Sequence, residues 1–200
     1  DVVIEMNNQG IAPAPTKEGI SQPSLAKPDV KTRWKAYKTF LDMVAMGLTK
    51  AAIAYGTGGV GKTYNMKQVF DGKGLVEFDV DSHAVGMPNY DYIKISGKAT
   101  PTAMYKALYQ HNGKIVVFDE TSVNILKGAL DTTGDGTVSY LSGKPIKDAE
   151  GDPLPQTFKF QGRAVFISNL DAEDMPQPLR SRSLTIDLTM TAKETMVMLK

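Results

Sequence analysis

Short apolar segments alternate with segments of helical character through most of the chain. The predicted helices are residues 32–48, 62–70, 101–110, 123–130 and a helix that begins after residue 191. Thr100 is the expected N-cap of the helix 101–110, and Thr191 with Glu194 forms the capping box of the last one. The predicted strands are residues 51–55, 75–79, 92–96, 114–118, 164–168 and 184–188. Strands that alternate with helices favour an α/β fold with a parallel sheet flanked by helices on both faces.

Two further segments alternate apolar and polar residues in the manner of strands. They are residues 137–141 and 157–160, and the stretch between them, residues 143–153, is rich in turn-forming residues. This arrangement predicts a β-hairpin with a long tip. The hairpin is inserted just before the predicted strand 164–168.

The composition is that of an ordinary globular domain. Of the 200 residues, 42% are hydrophobic and 22% are charged, and the net charge is +1. A charge so near zero gives no global field that indicates a nucleic acid or an anionic membrane. The chain has no cysteine, which excludes disulfides and thiolate metal sites. Its apolar runs are too short to cross a bilayer and no secretory signal stands at its start, so we expect a cytoplasmic protein without a membrane partner.

Residues 1–30 differ in composition from the rest of the chain. Four prolines lie there among scattered polar residues: Pro13, Pro15, Pro23 and Pro28. Such a stretch cannot bury enough apolar surface to offset the entropy lost on ordering. We therefore expect a flexible N-terminal arm or linker over residues 1–30, followed by a core domain over residues 31–190.

A glycine-rich loop lies between the predicted strand 51–55 and the predicted helix 62–70. We call it the phosphate loop, and its residues are Gly56, Thr57, Gly58, Gly59, Val60, Gly61, Lys62 and Thr63. Its glycines allow successive backbone N–H groups to point at phosphate oxygens, and the following helix directs its positive end at the same anion. In this pattern Lys62 reaches the β- and γ-phosphates and the Thr63 hydroxyl ligates Mg²⁺. The loop therefore predicts a site for ATP and Mg²⁺.

The predicted strand 114–118 delivers Asp119 and Glu120 at its carboxyl end. Ligands of open parallel sheets bind at that end of the strands. A Mg²⁺–ATP site needs a carboxylate there, so we expect Asp119 to hold the metal. Glu120 is the candidate that orients and deprotonates the attacking water.

From the phosphate loop onward the chain resembles the AAA+ ATPases, a family of P-loop proteins. The strand 164–168 leads into Asn169, which aligns with the polar sensor residue of that family. The run Pro178-Leu179-Arg180-Ser181-Arg182 resembles the segment that carries the arginine finger, with Arg182 aligning best and Arg180 as the second choice. The resemblance implies a three-layer P-loop core, a helical lid that begins at residues 191–200, and a homo-oligomeric ring, most often a hexamer, with ATP between subunits.

The predicted hairpin resembles the hairpin that precedes the sensor strand in viral superfamily 3 helicases. The Pro-Leu-Arg-Ser-Arg run is similar instead to the bacterial branch-migration motor. This resemblance implies a virus-encoded or cellular motor whose hairpin, through Lys144 and Lys147, contacts single-stranded or duplex DNA. The tip also carries three acidic residues: Asp148, Glu150 and Asp152.

Three functions remain open from the sequence. The inserted hairpin favours an ATP-hydrolysing helicase or nucleic-acid translocase. The near-neutral charge and the mixed charges of the tip favour an AAA+ remodeller or loader that acts on protein. A small-molecule kinase would use the same phosphate loop, but it would leave the Asn169 and Arg182 elements without a role.

Overall fold

The protein is described by a computed structural model that covers residues 27–83, 89–97, 99–120, 136–140, 143–148, 150–170 and 183–198. Within these ranges the chain forms four helices and seven strands. The helices are α1 (Val30–Ala45), α2 (Lys62–Gly72), α3 (Pro101–Gln110) and α4 (Ala192–Met198). The strands are β1 (Ala51–Tyr55), β2 (Tyr92–Ser96), β3 (Ile115–Asp119), β4 (Thr137–Ser139), β5 (Thr157–Lys159), β6 (Arg163–Ile167) and β7 (Leu184–Asp187).

Five of the strands form one parallel sheet in the order β2-β3-β6-β1-β7. Strand β6 lies between β1 and β3, and Ile167 at its end pairs with Ala54 on one side and with Asp119 on the other. The residues that follow β1, β3 and β6 therefore meet at the same edge of the sheet. This architecture confirms the predicted α/β class and is consistent with a P-loop NTPase fold.

Each face of the sheet is covered by a separate apolar cluster. On one face α1 and α2 contribute buried side chains such as Leu41 and Phe70. On the other face α3 packs its Leu108 beside Phe118 and Phe166, whose rings stack with centroids 5.2 Å apart. Because both faces are covered, the central strands are apolar at nearly every position, which is why they read as continuous apolar runs.

Strands β4 and β5 pair antiparallel and form a second, two-stranded sheet. This pair packs against the α3 side of the molecule. The Tyr105 hydroxyl of α3 donates to the carbonyl of Pro155, 2.5 Å away. Beyond the end of α3, the Asn112 side chain donates to the Lys159 carbonyl and accepts from the Gln161 N–H. The two strands are therefore attached to the main domain at two places, through Tyr105 and through Asn112.

The predicted strand 75–79 is wrong as a strand of the sheet. Its only ladder contact is an isolated parallel bridge between Glu77 and Tyr92. The Asp91 carboxylate accepts the Val76 N–H, and the Val76 carbonyl accepts from both Asp91 and Tyr92. The bond from Tyr92 belongs to that bridge, whereas the Asp91 carboxylate takes the Val76 N–H that a longer ladder would require.

The boundaries of the first helix also differ from the prediction, because tertiary and capping contacts set both ends of α1. It begins at Val30, where the Asp29 side chain accepts the Thr32 N–H as an N-cap. At the other end, Arg163 donates to the carbonyls of Val44 and Ala45 and ends the helix before residue 48.

Two predicted helix starts are confirmed. Thr100 accepts the Ala103 N–H as the N-cap of α3. Thr191 and Glu194 form the reciprocal capping box, with each side chain accepting the other residue's N–H at 3.2 and 2.8 Å. The predicted helix 123–130 and most of the predicted N-terminal arm lie outside the described residues. Within the described ranges, no helix is both long and apolar enough to cross a bilayer.

The junction between β5 and β6 leaves no room for a side chain at Gly162. A Cβ built there would overlap the Lys114 carbonyl and the ring of Phe160. We predict that Gly162→Ala lowers the free energy of unfolding by about 1–3 kcal/mol, because the overpacked strands must shift. Gly72→Ala is the control, since a Cβ there meets nothing within 4 Å. Urea unfolding measures both variants, and equal stabilities would contradict the prediction.

Candidate functional site

The phosphate loop leaves β1 and curls back into α2. A Cβ on Gly56 would overlap the backbone of Leu188 and Thr189, so only glycine fits where the loop passes the end of β7. Gly59 has a φ of 72°, in the left-handed region that favours glycine. The loop therefore depends on glycine both for close approach and for backbone conformation.

The curled loop presents backbone donors to the space in front of α2. In the part of the chain that the structure describes, the N–H groups of Gly59, Val60 and Gly61 donate to no protein acceptor. Gly61 is the N-cap of α2 and provides no side-chain cap, so the positive end of the helix faces the same space. A Cβ on Gly59 would project into open space. These features fit the binding of a phosphate group.

The Lys62 ammonium lies inside the loop and is 4% exposed. Its Nζ donates to the carbonyls of Gly56 and Thr57 at 2.8 and 2.7 Å, and to Asn169 Oδ1 at 2.9 Å. These three acceptors match the three N–H donors of an ammonium group. Burial lowers the pKa of Lys62, while the carboxylates of Glu120 and Asp119 act in the opposite direction.

Two carboxylates face the loop from the end of β3. The Thr63 hydroxyl donates to Asp119 Oδ2 at 3.0 Å, so the two predicted Mg²⁺ ligands are neighbours. Hydroxyl and carboxylate oxygens are ligands that suit Mg²⁺. The next residue, Glu120, has a φ of 59° and donates its N–H to the Ile167 carbonyl of β6. This strained backbone fixes where the Glu120 carboxylate leaves the sheet.

Asn169 connects the cationic and anionic halves of the site. Its Oδ1 accepts from Lys62, and its Nδ2 donates to Glu120 Oε1. The two partners fix the orientation of the amide, because an ammonium group only donates and a carboxylate only accepts. The opposite orientation would set donor against donor, so this side chain links Lys62 to Glu120 in one defined way.

These groups surround one open cleft with a volume of about 260 Å³. The cleft is lined by Gly59, Gly61, Lys62, Thr63, Tyr64, Asp119, Glu120, Ile167 and Asn169. It combines N–H donors and an ammonium group with a pair of carboxylates. Such a site can bind a polyphosphate through the donors and a divalent cation through the carboxylates.

The structure brings together the predicted residues of the phosphate loop with Asp119, Glu120 and Asn169. Lys144 and Lys147 are exposed residues of the segment between β4 and β5 and do not line the cleft. Arg180 and Arg182 lie outside the described residues, so their assignment stays a prediction.

Tyr37 of α1 was not among the predicted site residues. Its hydroxyl donates to the carbonyl of Lys62 at 3.1 Å, and the side chain is 1% exposed. Burial raises the pKa of Tyr37, with a further contribution from Asp119, so the hydroxyl stays protonated and remains a donor. In the sequence Tyr37 is one of several apolar positions at helical spacing, and that pattern carries no information on its polar partner.

A second contact outside the motifs joins the phosphate loop to the segment after β7. The Thr57 hydroxyl accepts the Met190 N–H at 2.9 Å. Arg33 of α1, which is 3% exposed, donates to the Thr189 carbonyl and pairs with Glu194 at 2.7 Å. The loop, α1 and α4 therefore share one hydrogen-bonded network. No local sequence pattern indicates it, because its members are far apart in the chain.

We predict that Tyr37→Phe lowers the free energy of unfolding by about 1 kcal/mol, the usual contribution of one buried hydrogen bond. The variant keeps the ring and its packing and removes only the donor to Lys62. Tyr64→Phe is the matched control, because Tyr64 is 67% exposed. Urea unfolding of both variants measures the difference, and no difference would show that the hydroxyl does not stabilise the loop.

The solved structures described next are distant matches to this chain. No protein-family model matches the chain, and no curated protein sequence matches it. A crystal structure of JCV helicase is similar at 17% identity and a TM-score of 0.37, over 82% of this chain and 45% of the helicase chain. A second structure of JCV helicase, with a small molecule bound, matches at 14% identity and a TM-score of 0.39, over 82% and 46% of the two chains. The chain thus spans less than half the length of the helicase chains it matches.

Proposed function

We propose that this protein binds ATP with Mg²⁺ in the cleft and hydrolyses it. The observation that carries the proposal is the convergence of Lys62, Asp119 and Glu120 on one edge of a parallel sheet. A cation, a metal-binding carboxylate and a candidate base stand there around the free N–H groups of the phosphate loop. Each of these groups has a defined task in phosphoryl transfer.

The residues of the cleft have different roles in this reaction. The loop amides and Lys62 bind the phosphates, and Thr63 with Asp119 would hold the metal. The bound Mg²⁺–ATP supplies the phosphoryl group that is transferred to water. Glu120 orients the attacking water and accepts its proton. Asn169 holds the Glu120 carboxylate from one side and Lys62 from the other, which supports a role in positioning both groups.

We further propose that hydrolysis drives a ring-shaped motor that acts on nucleic acid. In such a ring Arg182, or else Arg180, would reach the neighbouring subunit's ATP, and the β4–β5 pair would contact DNA through Lys144 and Lys147. The attachment of β4–β5 to α3 supports a hairpin that moves with the domain. The order of the elements along the chain also supports a connection between the hairpin and the ATP site, since β5 leads directly into β6 and then into Asn169.

One observation favours the second candidate, an AAA+ remodeller or loader that acts on protein. The tip between β4 and β5 is bridged at Lys147 and Pro153, and an Asp148–Asp152 turn closes it. The Asp152 N–H also donates to the Asp148 carboxylate. Acidic side chains therefore stand beside the two lysines, and they repel a phosphate backbone.

We predict that one variant of the cleft loses ATP binding and that another keeps binding but loses turnover. Lys62→Ala should weaken Mg²⁺–ATP binding by about 10- to 100-fold, because it removes charge-assisted hydrogen bonds. Glu120→Gln should bind Mg²⁺–ATP with near-normal affinity and lose turnover by about 10²- to 10⁴-fold, because a neutral amide cannot accept the proton. Calorimetry and a phosphate-release assay measure the two quantities. Lys67→Ala is the control, an exposed lysine further along α2. Unimpaired turnover in Glu120→Gln would remove Glu120 as the base.

We also predict that single-stranded or duplex DNA stimulates ATP hydrolysis by the intact protein, with stimulation that declines steeply as salt is raised. The measurement is the rate of phosphate release with and without DNA, at matched salt concentrations. Hydrolysis that no nucleic acid stimulates would favour the remodeller over the motor. The two candidates share the ATPase cleft, so this experiment separates them without altering the first proposal.

A further inference from the structure

Three lysines line the outer face of α1: Lys31, Lys35 and Lys38. Their spacing of four and three residues places them on one side of the helix, and all three are exposed. We call them the lysine row. We infer that the lysine row binds the phosphate backbone of a nucleic acid, at a surface separate from the ATP cleft and from the β4–β5 pair.

The positions of the lysine row are unfavourable for the stability of α1. Lys31 lies in the first turn of α1, where the positive end of the helix dipole disfavours a cation, and that turn contains no acidic residue. Lys31 and Lys35 are like charges at i and i+4, and Lys35 and Lys38 are like charges at i and i+3. Both arrangements destabilise a helix, and a bound polyanion would reverse both effects.

The fold does not use these three side chains. The inner face of α1 packs through Trp34, Tyr37 and Leu41, which are all buried. Among the ion pairs of the described residues, none includes a member of the lysine row. The one positive charge that α1 does bury, Arg33, is paired with Glu194. The lysine row is therefore available to an external anion.

The surroundings of the row suit a polyanion. A groove of about 300 Å³ at the N-terminal end of α1 brings Lys193 of α4 to the side of Lys31. The groove is also lined by Asp29 and Glu194, but Asp29 accepts two hydrogen bonds from Thr32, and Glu194 is held by Arg33 and its own capping box. These carboxylates already have partners, while the two lysines add positive charge.

A nucleic acid fits the row better than a membrane surface does. The other exposed residues of α1 from 31 to 39 are two threonines, Thr32 between the lysines and Thr39 just after them, so the row offers no large apolar side chain to insert into lipid. The row spans roughly 10 Å along the helix axis, comparable with the rise of about three phosphates on one strand of a duplex. Three ammonium groups can therefore each reach a different phosphate.

The row is also better placed for phosphate than the β4–β5 tip. The tip carries two lysines against three acidic residues, whereas α1 and its N-cap have the three lysines of the row against Asp29 and Asp42, and Asp42 pairs with Lys73. Helix α1 packs on the opposite face of the sheet from β4–β5. The two surfaces can therefore be tested independently, and neither test requires ATP hydrolysis.

The experiment measures anisotropy of fluorescent single-stranded and duplex DNA with the full chain, between about 50 and 200 mM salt. The test variant is K31Q/K35Q/K38Q, and K50Q/K94Q/K106Q is the control with the same loss of charge. We expect the test variant to bind about 10-fold more weakly at low salt, with a slope of log K against log salt that is smaller by about 2–3. The control should keep the slope of the unaltered protein, and K144Q/K147Q tests the β4–β5 contact separately.

Folding and charge are checked separately. The melting temperature of K31Q/K35Q/K38Q should be unchanged or higher, because repulsion within α1 is relieved. K31R/K35R/K38R keeps the charge and should keep the binding. Unaltered protein that does not bind DNA at low salt would overturn the inference, as would equal losses in the test and control variants. A loss confined to K144Q/K147Q, or binding only to phosphatidylserine-containing vesicles, would overturn it as well. DNA binding is measured without ATP, so failure of the ATPase proposal would not change this result.

Discussion

The buried ammonium group of Lys62 is the interaction on which the rest of the site depends. A charge largely removed from water is costly unless its donors are satisfied. Two acceptors come from the loop itself and the third is Asn169, which follows a different strand. The third acceptor is within reach only because β6 lies between β1 and β3. The hydrogen bonding of the Lys62 ammonium group therefore depends on the strand order of the sheet.

The supports of that loop lie on α1 and on the segment after β7. Tyr37 holds the first residue of α2, and Arg33 fixes the carbonyl of Thr189 beside Gly56. Helix α1 thus has two chemically different sides. Its inner side is apolar apart from these two donors and the buried Trp34 indole N–H, and its outer side is the lysine row. A change at the inner side would reach the phosphate loop, whereas a change at the outer side would not.

The β4–β5 pair and the lysine row differ in how charge is arranged around them. In the tip of the pair, the Asp148 carboxylate accepts a hydrogen bond from the Asp152 N–H and so helps to shape the turn. In the row, by contrast, no described acidic group pairs with the lysines. A turn that uses an acidic side chain is poorly suited to phosphate, while a helix face whose lysines have no paired acid is well suited to it.

The sequence by itself determined the features that are encoded locally. The strands of the main sheet, the glycine-rich turn with its following helix and the Thr191–Glu194 capping box each depend on residues only a few positions apart. The sequence predicted these local features correctly, while phosphate binding by the loop stays a prediction. The acidic residues Asp119 and Glu120 were placed at a strand end for the same reason. Only the tertiary structure decided which strands are neighbours, and with it the bridge from Lys62 through Asn169 to Glu120. It also rejected the strand at 75–79, because periodicity records which side chains are buried but not which backbone groups find partners.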